Sequence, residues 1–427
     1  MLNRTEAPAF VTIDKVDVMP VKTDHLGNGI PLYTLSAGSQ AITKIEFVFK
    51  AGMYWQPETL IASATNAMLE LGTKSYTANQ LSDGIDFYGS FLELSVDQDY
   101  AAVTIYSLNK YLEKTLQFVE EILKFPSFPQ EEFDTYMNNK KQKFYVNSQK
   151  VNVMARRKFV EIVYGANHPY GKNVVEKDFD RIQVSQLQEF FQHHYQATQC
   201  SIIASGHLPA DLKALLERYF GSWQSSPKHK PMETVIQVDT GNLPKRTLLP
   251  KDDALQSAIR IGRALFNKTH EDYFTFQVLN TVLGGYFGSR LMANIREDKG
   301  YTYGIGSGLN NLLHSGYFVI STEVGSDVCE SAISEIYKEL HTLRKDLIGD
   351  DELETVRNYI LGHFLRSVDG PFALAAKFRN IWEFGLDYDF YTRYFSAVKN
   401  VTAKELRELA NKYLREEDMI ECVAGKR

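Results

Sequence analysis

The 427-residue chain has only three cysteines, no apolar run long enough to cross a bilayer, and no basic tail. Cys200, Cys329 and Cys422 are far apart and odd in number. That excludes a disulfide framework and a CxxC metal site, and leaves buried free thiols. The missing apolar run excludes a helical membrane span. A formal charge of −6, without a Lys/Arg patch large enough to track phosphates, excludes nucleic acid as the main ligand. The opening residues, MLNRTEAPAF, have neither the apolar core of a secretion signal nor the Arg-rich, acid-poor character of a transit peptide, so the expected location is cytoplasmic.

What remains is a soluble globular composition, 44% hydrophobic and 23% charged, in a chain too long for one ordinary core. Two blocks recur at nearly one spacing. QEEFDTYMNNKKQKF from Gln130 and DDELETVRNYILGHF from Asp350 lie 220 residues apart. LQEFFQHHY from Leu187 and LRELANKYL from Leu406 lie 219 apart, as do Gly206 and Gly425, which close the apolar runs containing Cys200 and Cys422. Such a period marks a duplication.

The coarse elements repeat as well. Residues 44–51 (KIEFVFKA) alternate as a half-buried strand with Ile45, Phe47 and Phe49 on one side, and residues 258–265 are the weaker counterpart. Residues 100–106 and 317–324 read as further strands. Each precedes a helix, with Leu112, Leu116, Val119 and Leu123 on one face in the first half and Ala332, Ile336 and Leu340 in the second. The expectation is an α+β protein of two homologous domains, each a mainly antiparallel sheet packed with helices. The domains span 1–228 and 247–427, joined by a Pro- and Lys-rich linker at 229–246.

The segments MLELGTKSY (Met68 to Tyr76), NHPYG (Asn167 to Gly171) and Val184 to Gly206, followed by LGGYFGSRLMANIREDKGYTYG (Leu283 to Gly304) and GYFVISTEV, occur in that order. In this the chain resembles the pitrilysin and mitochondrial-processing-peptidase superfamily of zinc metallopeptidases, the inverzincins, along nearly its whole length. The resemblance implies an H-x-x-E-H helix just before the Gly-Thr of MLELGTK, where two histidines four apart share zinc and the glutamate activates water. At those positions stand Ser63, Asn66 and Ala67. Alanine cannot coordinate, serine is a poor zinc ligand, and the asparagine amide is no base at neutral pH.

The third ligand implied by the resemblance is a glutamate on a later helix, yet Asn138 to Val160 contains no acid and seven lysines and arginines. We read that basic run, Lys140 to Lys158, as a solvated helix face, with a positive chamber wall that attracts acidic peptides as the sharper alternative. Adjacent His193 and His194 read as ordinary helix residues, and His168, before Pro169, as a local turn residue.

The family's R-x-x-x-x-x-x-Y pattern is intact as Arg296 and Tyr303. The resemblance implies that this pair holds substrate backbone and polarises the carbonyl under attack, tasks that suit an always-charged guanidinium and a phenol that keeps its proton. The bland alternative makes Tyr301 and Tyr303 same-side strand residues and pairs Arg296 with Glu297. Gly284, Gly285 and Gly288 fit no phosphate-loop spacing and read as a tight strand-to-helix connection.

The expected function is a noncatalytic subunit of a heterodimeric zinc metallopeptidase. It holds no cofactor itself, and its partner supplies H-x-x-E-H and the zinc. Peptide is the expected substrate, and the isolated chain is compatible with a homodimer. The runner-up is a structural or peptide-binding core-type subunit with no role in proteolysis. An active enzyme with unorthodox ligands ranks last.

Overall fold

The computed structural model describes residues 18–225 and 244–427. The first half runs β1 (Lys22–His25), β2 (Pro31–Ser36), β3 (Ile42–Phe49), α1 (Ile61–Met68), α2 (Ala78–Phe87), β4 (Phe91–Val96) and β5 (Ala101–Leu108). It continues with α3 (Leu112–Lys124), α4 (Gln130–Ser148), α5 (Val151–Tyr164), α6 (Val184–His194), β6 (Cys200–Gly206) and α7 (Leu212–Phe220). The second half runs β7 (Arg246–Pro250), β8 (Gln256–Leu265), α8 (Tyr273–Asn280), β9 (Ile305–Leu312), β10 (Ser315–Gly325) and α9 (Cys329–Lys345). Then follow α10 (Asp350–Arg366), α11 (Pro371–Trp382), α12 (Asp389–Asn400), α13 (Ala403–Tyr413) and β11 (Ile420–Gly425).

Helix ends follow local chemistry. Thr77 and Gln80 close a capping box on α2, and Thr402 and Glu405 do the same on α13, each satisfying amides that the first turn leaves unpaired. The apolar faces expected for α3 and α9 are buried, with Leu112, Leu116, Val119 and Leu123 on one and Ala332, Ile336 and Leu340 on the other.

The two sheets share one plan. Their orders are β1-β2-β6-β3-β5-β4 and β7-β11-β8-β10-β9, and they differ only by the extra edge strand β1. In each the last strand of the half pairs parallel to the first main one (β2 with β6, β7 with β11), and the remaining pairings are antiparallel. The α+β duplication expected from the repeats is therefore present. Residues 229–243 of the expected linker lie outside the described residues, and Arg246, its last residue, already opens β7.

The halves are interlocked. The α5 helix belongs to the first half by sequence but packs on β8 and β11 of the second sheet, where Phe159 and Val163 meet Ile420 and Cys422 and Ala155 meets Ala258 and Ala424. Its repeat counterpart α11 crosses the other way, placing Ala375 and Phe378 against Val48, Ala102 and Ile203 of the first sheet. This corrects the half-buried reading of β3. Residues Thr43 to Phe49 are all buried, because α11 covers the face that alternation assigns to solvent.

Even the charged positions of that face are enclosed. Glu46 is 4% exposed and lies 3.2 Å from Arg379 of α11 and 3.1 Å from Lys44, while Arg379 also holds Glu383 at 2.7 Å. Trp382 donates its indole N–H to Tyr33 at 3.0 Å. A second tie joins the halves at Asp99, whose carboxylate accepts from the Tyr170 hydroxyl and from the Leu313 amide at 2.8 Å. Burial raises this carboxyl to about 6 against those hydrogen bonds.

The exchange makes a testable statement about cooperativity. Phe159→Ala removes a ring that is 1% exposed and is expected to cost about 3–5 kcal/mol. Hydrogen exchange should then accelerate at Ile420–Gly425, in the other half of the chain. Loosening confined to α5 would refute the interlock.

Candidate functional site

The short helix α1 starts after Leu60, whose φ of 76° turns the chain sharply, and Gln56 caps it by accepting from the Ala62 amide at 3.2 Å. Its residues 63, 66 and 67 share one side, as helical spacing requires. Asn66 is 3% exposed and donates to the hydroxyl of Tyr195, itself 2% exposed, at 3.1 Å. Burial raises the Tyr195 phenol, so it stays protonated.

Ser63 has a different neighbour. Lys140 of α4 donates to Ser63 Oγ at 2.7 Å and to the Tyr136 hydroxyl at 2.6 Å, and its ammonium lies 5.0 Å from the Tyr136 ring centre. Tyr136 in turn donates to the Ser63 carbonyl at 3.3 Å. Desolvation, helped by nearby Lys143, lowers Lys140 to about 8. At neutral pH a cation therefore sits against the first ligand position of the expected metal motif.

These residues do not fit zinc. The three motif positions offer no imidazole or carboxylate, and the Lys140 ammonium repels a divalent ion. Among the described residues no three His, Cys, Asp or Glu side chains converge as a metal-holding group. Nor do Ser63 and Lys140 form a nucleophile and base. The Ser63 hydroxyl gives its proton to the Leu60 carbonyl at 3.1 Å, and the lysine acts as donor to it.

Arg296 and Tyr303 lie in the second half and share no hydrogen bond or ion pair with Ser63 or Asn66. The structure does bring the pair together, because Arg296 Nε donates to the Tyr303 carbonyl at 3.1 Å. The guanidinium lies 4.6 Å over the ring of Phe287, and its contact with Glu297 is a loose 3.7 Å. The Tyr303 side chain is 95% exposed, as free as a side chain can be, and Phe287 is 62% exposed. Tyr303 precedes β9, so the same-side strand reading of Tyr301 and Tyr303 does not hold.

The glycines also differ from expectation. Gly284 and Gly285 end a π-helical stretch, Thr281–Gly285, that continues α8, so the connection joins helical segments and does not follow a strand. Gly284 is required by close approach, since a Cβ there would stand 2.6 Å from Ser307 Oγ and 2.7 Å from the Ser307 amide of β9. Phe287, the platform under Arg296, was not singled out by sequence reasoning; its only signal is its place inside LGGYFGS.

The remaining motif residues are structural. His194 donates its Nδ1–H to the Lys50 carbonyl at 2.9 Å and stacks on Phe190, and His168 accepts from the Tyr170 amide at 3.1 Å. All three cysteines are buried free thiols, as expected. The basic run divides. Lys141 pairs with Asp180 and Lys158 with Glu161, as a solvated face would. The half-buried Lys140 and Arg157, with the exposed Lys143 and Arg156, line a cleft that reaches β9 and β10 of the second half, so the solvent-facing reading fails at Lys140 and Arg157.

Two predictions follow from the buried contacts. Asn66→Ala leaves the Tyr195 hydroxyl without its partner and is expected to cost about 1–3 kcal/mol in urea unfolding. Folded Lys140 gives up its proton near pH 8, before the unfolded lysine does near 10.5, so this group's contribution to stability rises across that window and is lowest below it. The unfolding free energy of the wild type minus that of Lys140→Met should therefore climb from pH 8 to pH 10.5, and a flat difference would refute the burial.

Comparison with known proteins agrees with this geometry. Residues 47–175 match the family model described as insulinase, peptidase family M16, and residues 181–360 match the peptidase M16 inactive domain. An uncharacterized zinc protease of Bacillus subtilis, YmxG, is 22% identical over 70% of this chain and 72% of its own length. The non-peptidase homolog YmxG of Helicobacter pylori is 21% identical over 84% of this chain and 83% of its own. The crystal structure of a peptidase M16 inactive domain from Pseudomonas fluorescens superposes with a TM-score of 0.85 at 21% identity, covering 96% of this chain and 99% of that one. With two M16 models matched in order across both halves, and the duplicated fold around a motif helix that has lost its ligands, the chain belongs to the M16 family of the pitrilysin-like metallopeptidases.

Proposed function

We propose that this chain is a noncatalytic subunit of a heterodimeric zinc metallopeptidase. A partner with H-x-x-E-H supplies the zinc and the water-activating glutamate, while this chain closes the chamber and contributes Arg296 and Tyr303. One observation carries the reading. The Lys140 ammonium is bonded to Ser63, the first position of the expected metal motif, while Arg296 is held over Phe287 beside a fully presented Tyr303. The loss is confined to one of the two half-sites. A relative named as a non-peptidase homolog supports the same reading.

The chemistry suits the division. A guanidinium and a protonated phenol donate hydrogen bonds to a substrate carbonyl or to the oxyanion it becomes, and they need no metal of their own. No proton has to leave either group during the reaction.

Zinc analysis of the purified chain, with peptide hydrolysis assayed alone and after mixing with an H-x-x-E-H-bearing homologue, tests the proposal. Activity is expected only in the mixture. There, Arg296→Ala and Tyr303→Phe should lower turnover, by about 100-fold for the arginine, and leave association intact. One equivalent of zinc with activity from the chain alone would refute it. Unchanged turnover in both variants would favour a structural subunit without a role in proteolysis.

A further inference from the structure

The cleft between the halves is the strongest unassigned feature. It encloses about 630 Å³ between the α4–α5 corner and the loop carrying Lys172 on one side and Asn310, Asn311, Leu312 and Tyr317 on the other. Lys140, Lys143, Arg156, Arg157 and Lys172 line it, and no aspartate or glutamate does. Five cations in one concavity stand out in a chain whose formal charge is −6.

Among the described residues none of the five forms an ion pair with a carboxylate. Glu161 is engaged by Lys158 at 2.7 Å and by Asn173 at 3.2 Å, and Glu323 by Asn152 at 3.0 Å. Lys140 spends its donors on Ser63 and Tyr136, Arg157 on Val174 O and Asn173, and Lys172 on Pro57 O, all uncharged groups. Lys143 and Arg156 are exposed and have no ion pair among the described residues.

We propose that this cleft binds acidic peptide segments, with Lys143 and Arg156 as the first contacts for their carboxylates. The idea rests on the reading that the chain handles peptides, and it names their class. Two features favour a peptide over a compact phosphate. The cations are spread from the half-buried Lys140 to the exposed Arg156, an arrangement that matches several carboxylates along an extended chain. Amide residues lie between them (Gln98, Asn147, Asn173 and Asn310), suited to backbone groups.

Fluorescence anisotropy on the full isolated chain tests this with short rhodamine-labelled peptides of equal length, one rich in glutamate, one in lysine and one in serine. The glutamate peptide should bind at least about tenfold more tightly than either other, and added salt should weaken it. The double variant Lys143→Glu/Arg156→Glu should lose about tenfold or more of that affinity with unchanged thermal unfolding, while Lys404→Glu, a solvent-exposed charge on α13, should keep it. Equal binding of the three peptides, or full affinity in the double variant, would overturn the proposal. So would binding of inorganic polyphosphate without binding of the glutamate peptide. Because no partner is present, failure here leaves the partner-dependent hydrolysis test untouched, and failure of that test leaves this one.

Discussion

The architecture depends on one reciprocal constraint, in which each half lends a helix to the other's sheet. Helix α5 covers β8 and β11, and α11 covers β3 and β6. Without these helices both sheets would expose an apolar face, and burying a side chain such as Phe159 or Phe378 contributes roughly 1.5–3 kcal/mol relative to leaving it in water. The two domains are thus coupled by core packing, beyond the thin polar contacts common between domains. The Glu46–Arg379–Glu383 cluster adds specificity of position. Its charges are out of water, and breaking one leaves the others uncompensated.

That coupling also shapes the cleft and the surroundings of Ser63. Because α5 is pulled across to the second sheet, the α4–α5 corner turns at the junction and carries Lys140, Lys143, Arg156 and Arg157 to the cleft beside β9 and β10. The same α4 helix delivers Lys140 to Ser63. Loss of the metal residues leaves α1 in place because its anchors are not catalytic. The Thr65 hydroxyl reaches the Leu187 carbonyl, and Ile61, Ala64 and Met68 are buried in the first-half core. A scaffold helix retained by packing can lose its chemistry without losing its position.

The duplication was legible in the 219- to 220-residue recurrence, and the observed strand orders repeat accordingly. The buried faces of α3 and α9 were legible because helical periodicity reports one-sided burial directly. The β3 strand misled for the opposite reason. Alternation reports only whether a strand has a polar side, and here Lys44 and Glu46 on that side are buried, with Glu46 held by Arg379 of a helix more than 300 residues away. The glycine-rich LGGYFGS misled similarly, since a close approach to Ser307 and a tight turn require the same residue.

At the site, residue identities alone established what chemistry is missing. Ser63, Asn66 and Ala67 supply no imidazole, carboxylate or base in any fold, because donor atoms are a property of side chains. They also established that a cationic array exists, since seven lysines and arginines occur in a stretch without acids. Only the tertiary structure decided where those charges go. Which of them pair with Asp180 or Glu161, which one bonds to Ser63, and which stay unpaired in a cleft depends on neighbours brought from distant parts of the chain. Electrostatic energy depends on distance and burial, and neither is written in the order of the residues.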